Sequence, residues 1–251
     1  MTFTTNLTTE TLALATEIEE KVYPFHRKVD DMAFFNQQKV LAAFRKHQVS
    51  DYHLHPSNGY GYDDEGRDNL ERVYAEVFGA EAAIVRPQII SGTHAITLSL
   101  FGVLRPGDEL LYISGQPYDT LQSIVDGGDK DTGSLKDYKI SYRHVDLMAN
   151  QKIDWDGVAA AITENTKMIA IQRSKGYATR PSFTIAEIAD MCVKVRELAP
   201  QAIIFVDNCY GEFVEDQEPT EVGADLMAGS LIKNPGEDWR KLEAILLVAL
   251  I

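Results

Sequence analysis

The chain has 251 residues, 45% of them hydrophobic and 25% charged, enough to bury a large core as one α/β domain or two smaller ones. Its formal charge of −14 comes without a concentrated basic patch, which argues against nucleic-acid and anionic-membrane surfaces. No run of about 20 apolar residues is present to span a bilayer, and Met1 to Asn6 lacks the basic-then-apolar pattern of a secretory signal, so the expected compartment is the cytoplasm. Cys192 and Cys209 are too few for a disulfide framework and sit in no metal-ligand spacing, so both are expected to be reduced.

Thr8 to Tyr23 places Leu12, Ala15, Ile18 and Val22 at helical spacing, and Met32 to His47 repeats the pattern through Phe35, Val40, Leu41 and Phe44, predicting two opening helices. Asp51 to Arg67, rich in Gly, Tyr, His and Asp, has no period and reads as an extended or looped stretch. From Asp68 the pattern alternates. Helices are predicted over Asn69 to Phe78, Gly92 to Phe101, Asp119 to Val125, Trp155 to Ile162 and Ile185 to Leu198. Short β-branched strands fall between them, over Ala82 to Arg86, Glu109 to Ile113, Lys139 to Arg143, Lys167 to Ile171 and Ala202 to Val206. Such strands, buried on both faces, imply a mostly parallel sheet flanked by helices, while Asp126 to Asp137 reads as a polar surface loop.

In open α/β sheets ligands sit at the carboxyl ends of the strands. Ser91-Gly92-Thr93-His94 follows the first strand at a helix start, where free amides and the dipole suit a phosphate; taken alone, an ordinary Ser/Thr cap is the better explanation. Tyr118 follows the second strand and is placed either to lie against a planar ring or simply to pack. Asp207 closes a buried strand and needs a cationic or hydrogen-bonding partner; metal ligation and helix capping compete, though neither has a second ligand nearby. Lys233 follows the apolar stretch ending at Ile232, where desolvation would favour a neutral, nucleophilic amine, although an isolated lysine is more often a surface residue. Phosphate-binding helix start, ring-stacking aromatic, strand-end Asp and a Lys 26 residues later (233 minus 207) follow the order used by pyridoxal-5′-phosphate (PLP) enzymes of the aspartate-aminotransferase fold.

Five segments carry a more specific resemblance: Gly59 to Asp68 (GYGYDDEGRD), Val85 to Ile96, Ile171 to Ser182, Phe205 to Glu215 and Glu221 to Gly236. Together they resemble the methionine γ-lyase-like family, often labelled aluminium-resistance proteins, within the Cys/Met-metabolism PLP enzymes. The resemblance implies the large domain of a fold type I enzyme, with a seven-stranded, mostly parallel sheet behind a helical N-terminal segment. It implies that Ser91, Gly92, Thr93 and Ser230 bind the cofactor phosphate, that Tyr118 stacks on the ring, that Asp207 pairs with the ring nitrogen, and that Lys233 forms the Schiff base and moves the substrate proton. Tyr60, Tyr62 and Arg67 stand where relatives reach a neighbouring subunit's phosphate, which implies a homodimer or homotetramer. Arg173 and Lys175 are expected to line the site, and His53, His55 and His94 are either substrate-facing or structural. The implied reaction is elimination of a thiol from a sulfur-containing amino acid, with Tyr118 helping to protonate the leaving sulfur. An aminotransferase or decarboxylase reaction, a non-catalytic PLP-binding piece and, more remotely, a nucleotide-binding Rossmann domain remain open at this point.

The resemblance stops after Gly236, where a glycine-rich continuation is expected. Gly236 to Ala249 can be back-translated so that one added G yields Gly-Gly-Gly-Leu-Ala-Lys-Thr-Gly-Gly-Tyr-Ile-Val-Gly-Ser, the expected type of sequence. This suggests a shifted reading frame over residues 237–251. The expected organisation is therefore N-terminal helices and subunit-contact loop over 1–67, an incomplete PLP domain over 68–236, and an aberrant tail. On that reading the small C-terminal domain is missing and turnover is low. The tail's apolar end, Ala244 to Ile251, is then expected to lack a partner and to favour aggregation.

Overall fold

A computed structural model describes residues 7–57, 62, 64–127, 133–233 and 244–248, the last five by their backbone alone. Seven strands form one sheet: β1 (Ala82–Arg86), β2 (Glu109–Tyr112), β3 (Ser141–His144), β4 (Thr166–Gln172), β5 (Ile203–Asp207), β6 (Leu226–Ser230) and β7 (Ala244–Val248). Their spatial order is β1-β7-β6-β5-β4-β2-β3. The pairs β6/β5, β5/β4, β4/β2 and β2/β3 are parallel, while β7 lies antiparallel to both β1 and β6. The mostly parallel, seven-stranded sheet expected from the sequence is therefore present.

Its strands read as continuous apolar runs because both faces are covered. On one face Leu110, Tyr112, Met168, Ala170 and Phe205 pack with Ala95, Ile96 and Leu100 of α3 (Gly92–Val103) and Leu121 of α4 (Asp119–Val125). On the other, Leu111, Ile169, Ile171 and Val206 pack with Val158 of α5 (Trp155–Ala161) and with Ile188, Cys192 and Val195 of α6 (Ile185–Leu198). Thr184 and Glu187 form a reciprocal capping box that fixes the start of α6.

Two expectations are corrected. The opening segment is one helix, α1 (Thr9–Lys46), not two, and Pro24 lies inside it. A proline there removes one hydrogen bond without ending a helix whose flanking turns are otherwise favourable. The helix exposes Leu12, Ile18, Phe25, Val29, Phe34 and Phe35 and buries only Asn36 and Ala43. The second helix, α2 (Glu65–Val77), starts inside the stretch read as a loop, with the Asp64 carboxylate accepting from the Arg67 amide at 3.2 Å.

The second correction concerns the tail. Ala244–Val248 does have a partner, and in fact two: β7 pairs along β1 from Ala82 to Arg86 and along β6 from Leu226 to Ser230. A β-prone apolar pentapeptide saturates its backbone on both sides by filling the slot between two strands, so this part presents no free edge.

Candidate active site

The carboxyl ends of β1, β2, β4, β5 and β6 converge on the predicted chemistry. Ser91 caps α3, its hydroxyl accepting from the His94 amide at 3.1 Å, so the capping role holds for that side chain. Gly92 packs so closely that a Cβ would stand 2.7 Å from Cys209 Sγ and 3.3 Å from Ser230 Cβ. Residue 92 must therefore be glycine, and the first turn of α3 presses directly on the β5 and β6 ends. Thr93 Oγ1 lies 2.9 Å from the Tyr118 hydroxyl, joining the helix start to the ring-stacking candidate. Tyr118 is fixed in turn by its amide, which donates to Gln172 Oε1 at 3.0 Å. Burial pushes the Tyr118 phenol well above its ordinary pKa, so it stays protonated.

Asp207 is 2% exposed and ends β5. Its Oδ1 accepts the Cys209 amide at 3.1 Å. Burial raises its pKa first of all; the Cys209 hydrogen bonds and the charges of Lys233 and Arg180 oppose that shift. No described cation forms an ion pair with it. Ser230 is fully buried, and its hydroxyl has no hydrogen-bond partner among the described residues; the same holds for Tyr112, whose phenol senses the charges of Asp207 and Cys209. Lys233 is half-buried, its Nζ standing 4.1 Å from the centre of the Tyr210 ring.

These features fit PLP. A buried carboxylate lacking a paired cation suits a protonated ring nitrogen, and a buried hydroxyl lacking an acceptor lies beside the free amides of a helix start. Among the described residues no group of three or more His, Cys, Asp or Glu side chains is placed to hold a metal ion.

Other expected residues fall elsewhere. Tyr60 lies outside the described residues. Tyr62 is 80% exposed, and Arg67 sits on the first turn of α2 with Nη2 3.3 Å from its neighbour Asp68. His53 Nδ1 accepts from the Ser50 amide and His94 Nδ1 from the Ile90 amide, both local structural bonds, while His55 is exposed. Lys175 lines a cleft of about 240 Å³ beside Tyr118. Arg173, expected to line the site, turns into the interior at 3% exposure. It donates to Asn208 Oδ1 at 2.9 Å, the Gly211 carbonyl at 3.0 Å and Glu215 Oε1 at 2.6 Å, with Glu218 Oε2 at 3.9 Å. Arg173 thus clamps the loop that follows Asp207.

Three residues escaped the sequence reading: Arg180, Glu212 and Glu218. Glu212 and Glu218 are fully buried. Glu212 Oε1 accepts the Ser230 amide at 2.5 Å, holding the end of the strand that leads to Lys233. Burial pushes Glu212 up to about 8 and Glu218 up to about 7. Nothing in an acidic sequence marks which glutamates are interior.

The sequence profile of the methionine gamma-lyase family matches residues 11–243. The chain belongs to that family. It is 62% identical over 223 residues to the uncharacterized protein YnbB of Bacillus subtilis, covering 88% of this chain and 53% of that one. The crystal structure of a "putative cystathionine beta-lyase involved in aluminum resistance" from Listeria innocua superposes with a TM-score of 0.93 at 57% identity, over 96% of this chain and 59% of that one. The chain therefore spans little more than half the length of these relatives. A more distant likeness shares the fold alone: a "putative O-acetylhomoserine (thiol)-lyase" from Campylobacter jejuni, with a TM-score of 0.58 and 21% identity over 74% of this chain and 41% of that one. Its structure carries N′-pyridoxyl-lysine-5′-monophosphate. Among the described residues no helix is long and apolar enough to cross a membrane.

Proposed function

We propose that this chain forms most of the cofactor-binding domain of a PLP-dependent carbon–sulfur lyase that acts on a sulfur-containing amino acid. The observation that carries the reading is the buried Asp207 carboxylate, which has no paired cation among the described residues and senses the charge of Lys233. Gly92, Thr93 and Ser230 hold the cofactor phosphate, with Ser91 setting the helix start. Tyr118 would lie against the ring, Asp207 would keep the ring nitrogen protonated, and Lys233 would hold the cofactor through its aldehyde carbon until the substrate's amine displaces it. Bound there, PLP supplies an electron sink for the substrate's α-carbon. Lys233 Nζ, once released from the cofactor, would take the proton from that carbon. Tyr118, held protonated by burial, donates its phenolic proton to the departing sulfur.

Tyr60, Tyr62 and Arg67 are proposed to serve a neighbouring subunit's site. The exposed apolar residues of α1 support at least a dimer, which sedimentation would reveal. The shifted frame over 237–251 also stands as a proposal, decided by the nucleotide sequence around codon 236; with it goes the expectation that the chain alone binds cofactor but turns over slowly.

The test is spectroscopic first. Adding PLP to the chain is expected to produce a visible absorbance band that survives dialysis and is abolished in Lys233→Ala. Amino-acid-dependent release of a keto acid and a thiol then separates a lyase from an aminotransferase. A wild-type chain that takes up no PLP sinks the reading.

A further inference from the structure

The turn after β4 carries two arginines with opposite surroundings. Arg173 is enclosed by the carboxylates of Glu215 and Glu218. Arg180 is half-buried and pairs with no carboxylate among the described residues. It donates to three carbonyls, Pro181 O at 3.0 Å, Gln172 O at 2.9 Å and Ser174 O at 2.5 Å, and lies over the Phe183 ring at 5.3 Å. A guanidinium has five N–H donors, so two are left over. Burial lowers its pKa and the Asp207 charge opposes that, which places a desolvated cation within electrostatic reach of the strand-end carboxylate.

Arg180 also opens onto a cavity. The cleft of about 240 Å³ is bounded by Gln116, Tyr118, Gln122, Gln172, Lys175 and Arg180, with Asp119 as the one carboxylate on its wall. Asp119 Oδ1 is already engaged by the Thr120 amide at 2.8 Å. The turn is held against Tyr118: Gly176 has φ +56°, and a Cβ there would stand 3.8 Å from Tyr118 Cβ. Two cations against one carboxylate, three amide side chains and the phenols of Tyr118 and Tyr177 make a surface suited to a small anion with hydrogen-bonding oxygens.

We propose that Arg180, assisted by Lys175, is an anion anchor in the Tyr118 cleft and binds a carboxylate of the amino-acid substrate. The substrate class rests on the lyase reading, but the anion site does not. The carboxylate is either the one every amino acid carries at its α-carbon or a second one at the far end of a dicarboxylic thioether. Both present the same group to the guanidinium.

Two thioether acids without an amine test the anchor, because they cannot react with the cofactor: 3-(methylthio)propanoate, with one carboxylate, and 3,3′-thiodipropanoate, with two. Calorimetric titrations with and without PLP compare the native chain, Arg180→Gln and Arg180→Lys, using the methyl esters as uncharged controls. Arg180→Gln is expected to weaken an acid by about 10- to 100-fold, Arg180→Lys by less, and the esters not at all. A loss for both acids assigns the single carboxylate; a loss for the diacid alone assigns the far one. Equal acid binding by the native chain and a Gln variant with an unchanged melting curve overturns the anchor, and so does a native chain that binds acids no better than esters. Should Arg180→Gln not fold, phenylglyoxal labelling of the native chain decides. The acids must protect Arg180 while leaving the exposed Arg105 reactive, and equal labelling with and without them overturns the proposal. Failure of the lyase reading shows separately, as absence of PLP uptake.

Discussion

Arg173 and Asp207 are joined by a backbone hydrogen bond, the Arg173 amide donating to the Asp207 carbonyl at 3.0 Å, yet their side chains enter opposite kinds of surroundings. Behind the sheet end, Arg173, Asn208, Glu215 and Glu218 exchange hydrogen bonds and charge until little is left unmet. In front, among the described residues, Asp207 has no paired cation, Ser230 no acceptor and Arg180 no carboxylate. A network closed on itself fixes geometry, whereas one left open is completed by a ligand. The distinction is energetic, so substitutions of the same kind should act in opposite directions on the two sides.

The largest effect is expected behind the sheet. Arg173→Met leaves Glu215 and Glu218 without their cation in a buried setting and should cost about 3–5 kcal/mol, read from the urea midpoint. A variant as stable as the native chain would mean that the network does not brace the loop carrying Asp207.

Glu212 bridges the two regions, and its effect depends on pH. Its pKa in the folded chain, about 8, lies above the ordinary glutamate value, as does that of Glu218 at about 7. The folded state therefore binds more protons than the unfolded one between about pH 4.5 and 8. Stability from these groups is fully present below that window and falls as pH rises through it. Glu212→Gln keeps an oxygen for the Ser230 amide and removes the titration. It should match the native chain near pH 4 and exceed it by about 3 kcal/mol at pH 7. Parallel melting curves for the two chains across this range would contradict the interior placement of Glu212.

The contrast also explains what could be seen in the sequence. The parallel strands were legible because Leu110, Ile169 and Val206 belong to apolar runs covered on both faces, and the start of α3 was marked by Ser91. Lys233, Asp207 and Thr93, whose roles are proposals, were singled out by their order and the motifs around them. Arg180 was not, because a missing counter-charge is a property of three-dimensional surroundings. Arg173 drew attention by adjacency to the strand end, but which face a side chain takes after a strand depends on partners such as Glu218, 45 residues later (218 minus 173). The β7 strand was missed because a tail with no family motif can still satisfy a vacant antiparallel slot by backbone pairing.

In front of the sheet a neutralising substitution should stabilise. Asp207→Asn removes the penalty of ionising a buried carboxylate and is expected to raise cofactor-free stability at pH 7 by about 2 kcal/mol. It should also weaken PLP binding at least about tenfold, because the amide cannot offset the charge of a protonated ring nitrogen. Lower stability without cofactor would place Asp207 with the closed network instead.

The smallest and most discriminating comparison uses two serines, each about 1% exposed or less. Ser114 Oγ accepts the Gln172 amide at 2.9 Å, whereas Ser230 Oγ has no partner among the described residues. Ser114→Ala strands a buried amide and should cost about 1–2 kcal/mol. Ser230→Ala strands nothing and removes a hydroxyl that is already desolvated without compensation, so the cofactor-free chain should gain about 1 kcal/mol. With PLP present the sign should reverse, since the lost donor to phosphate would weaken binding about tenfold. Thermal melting of both variants with and without PLP reads all four values. If Ser230→Ala is destabilised in both states, its hydroxyl has a structural partner, and the phosphate must be held by the α3 amides and Thr93 without it.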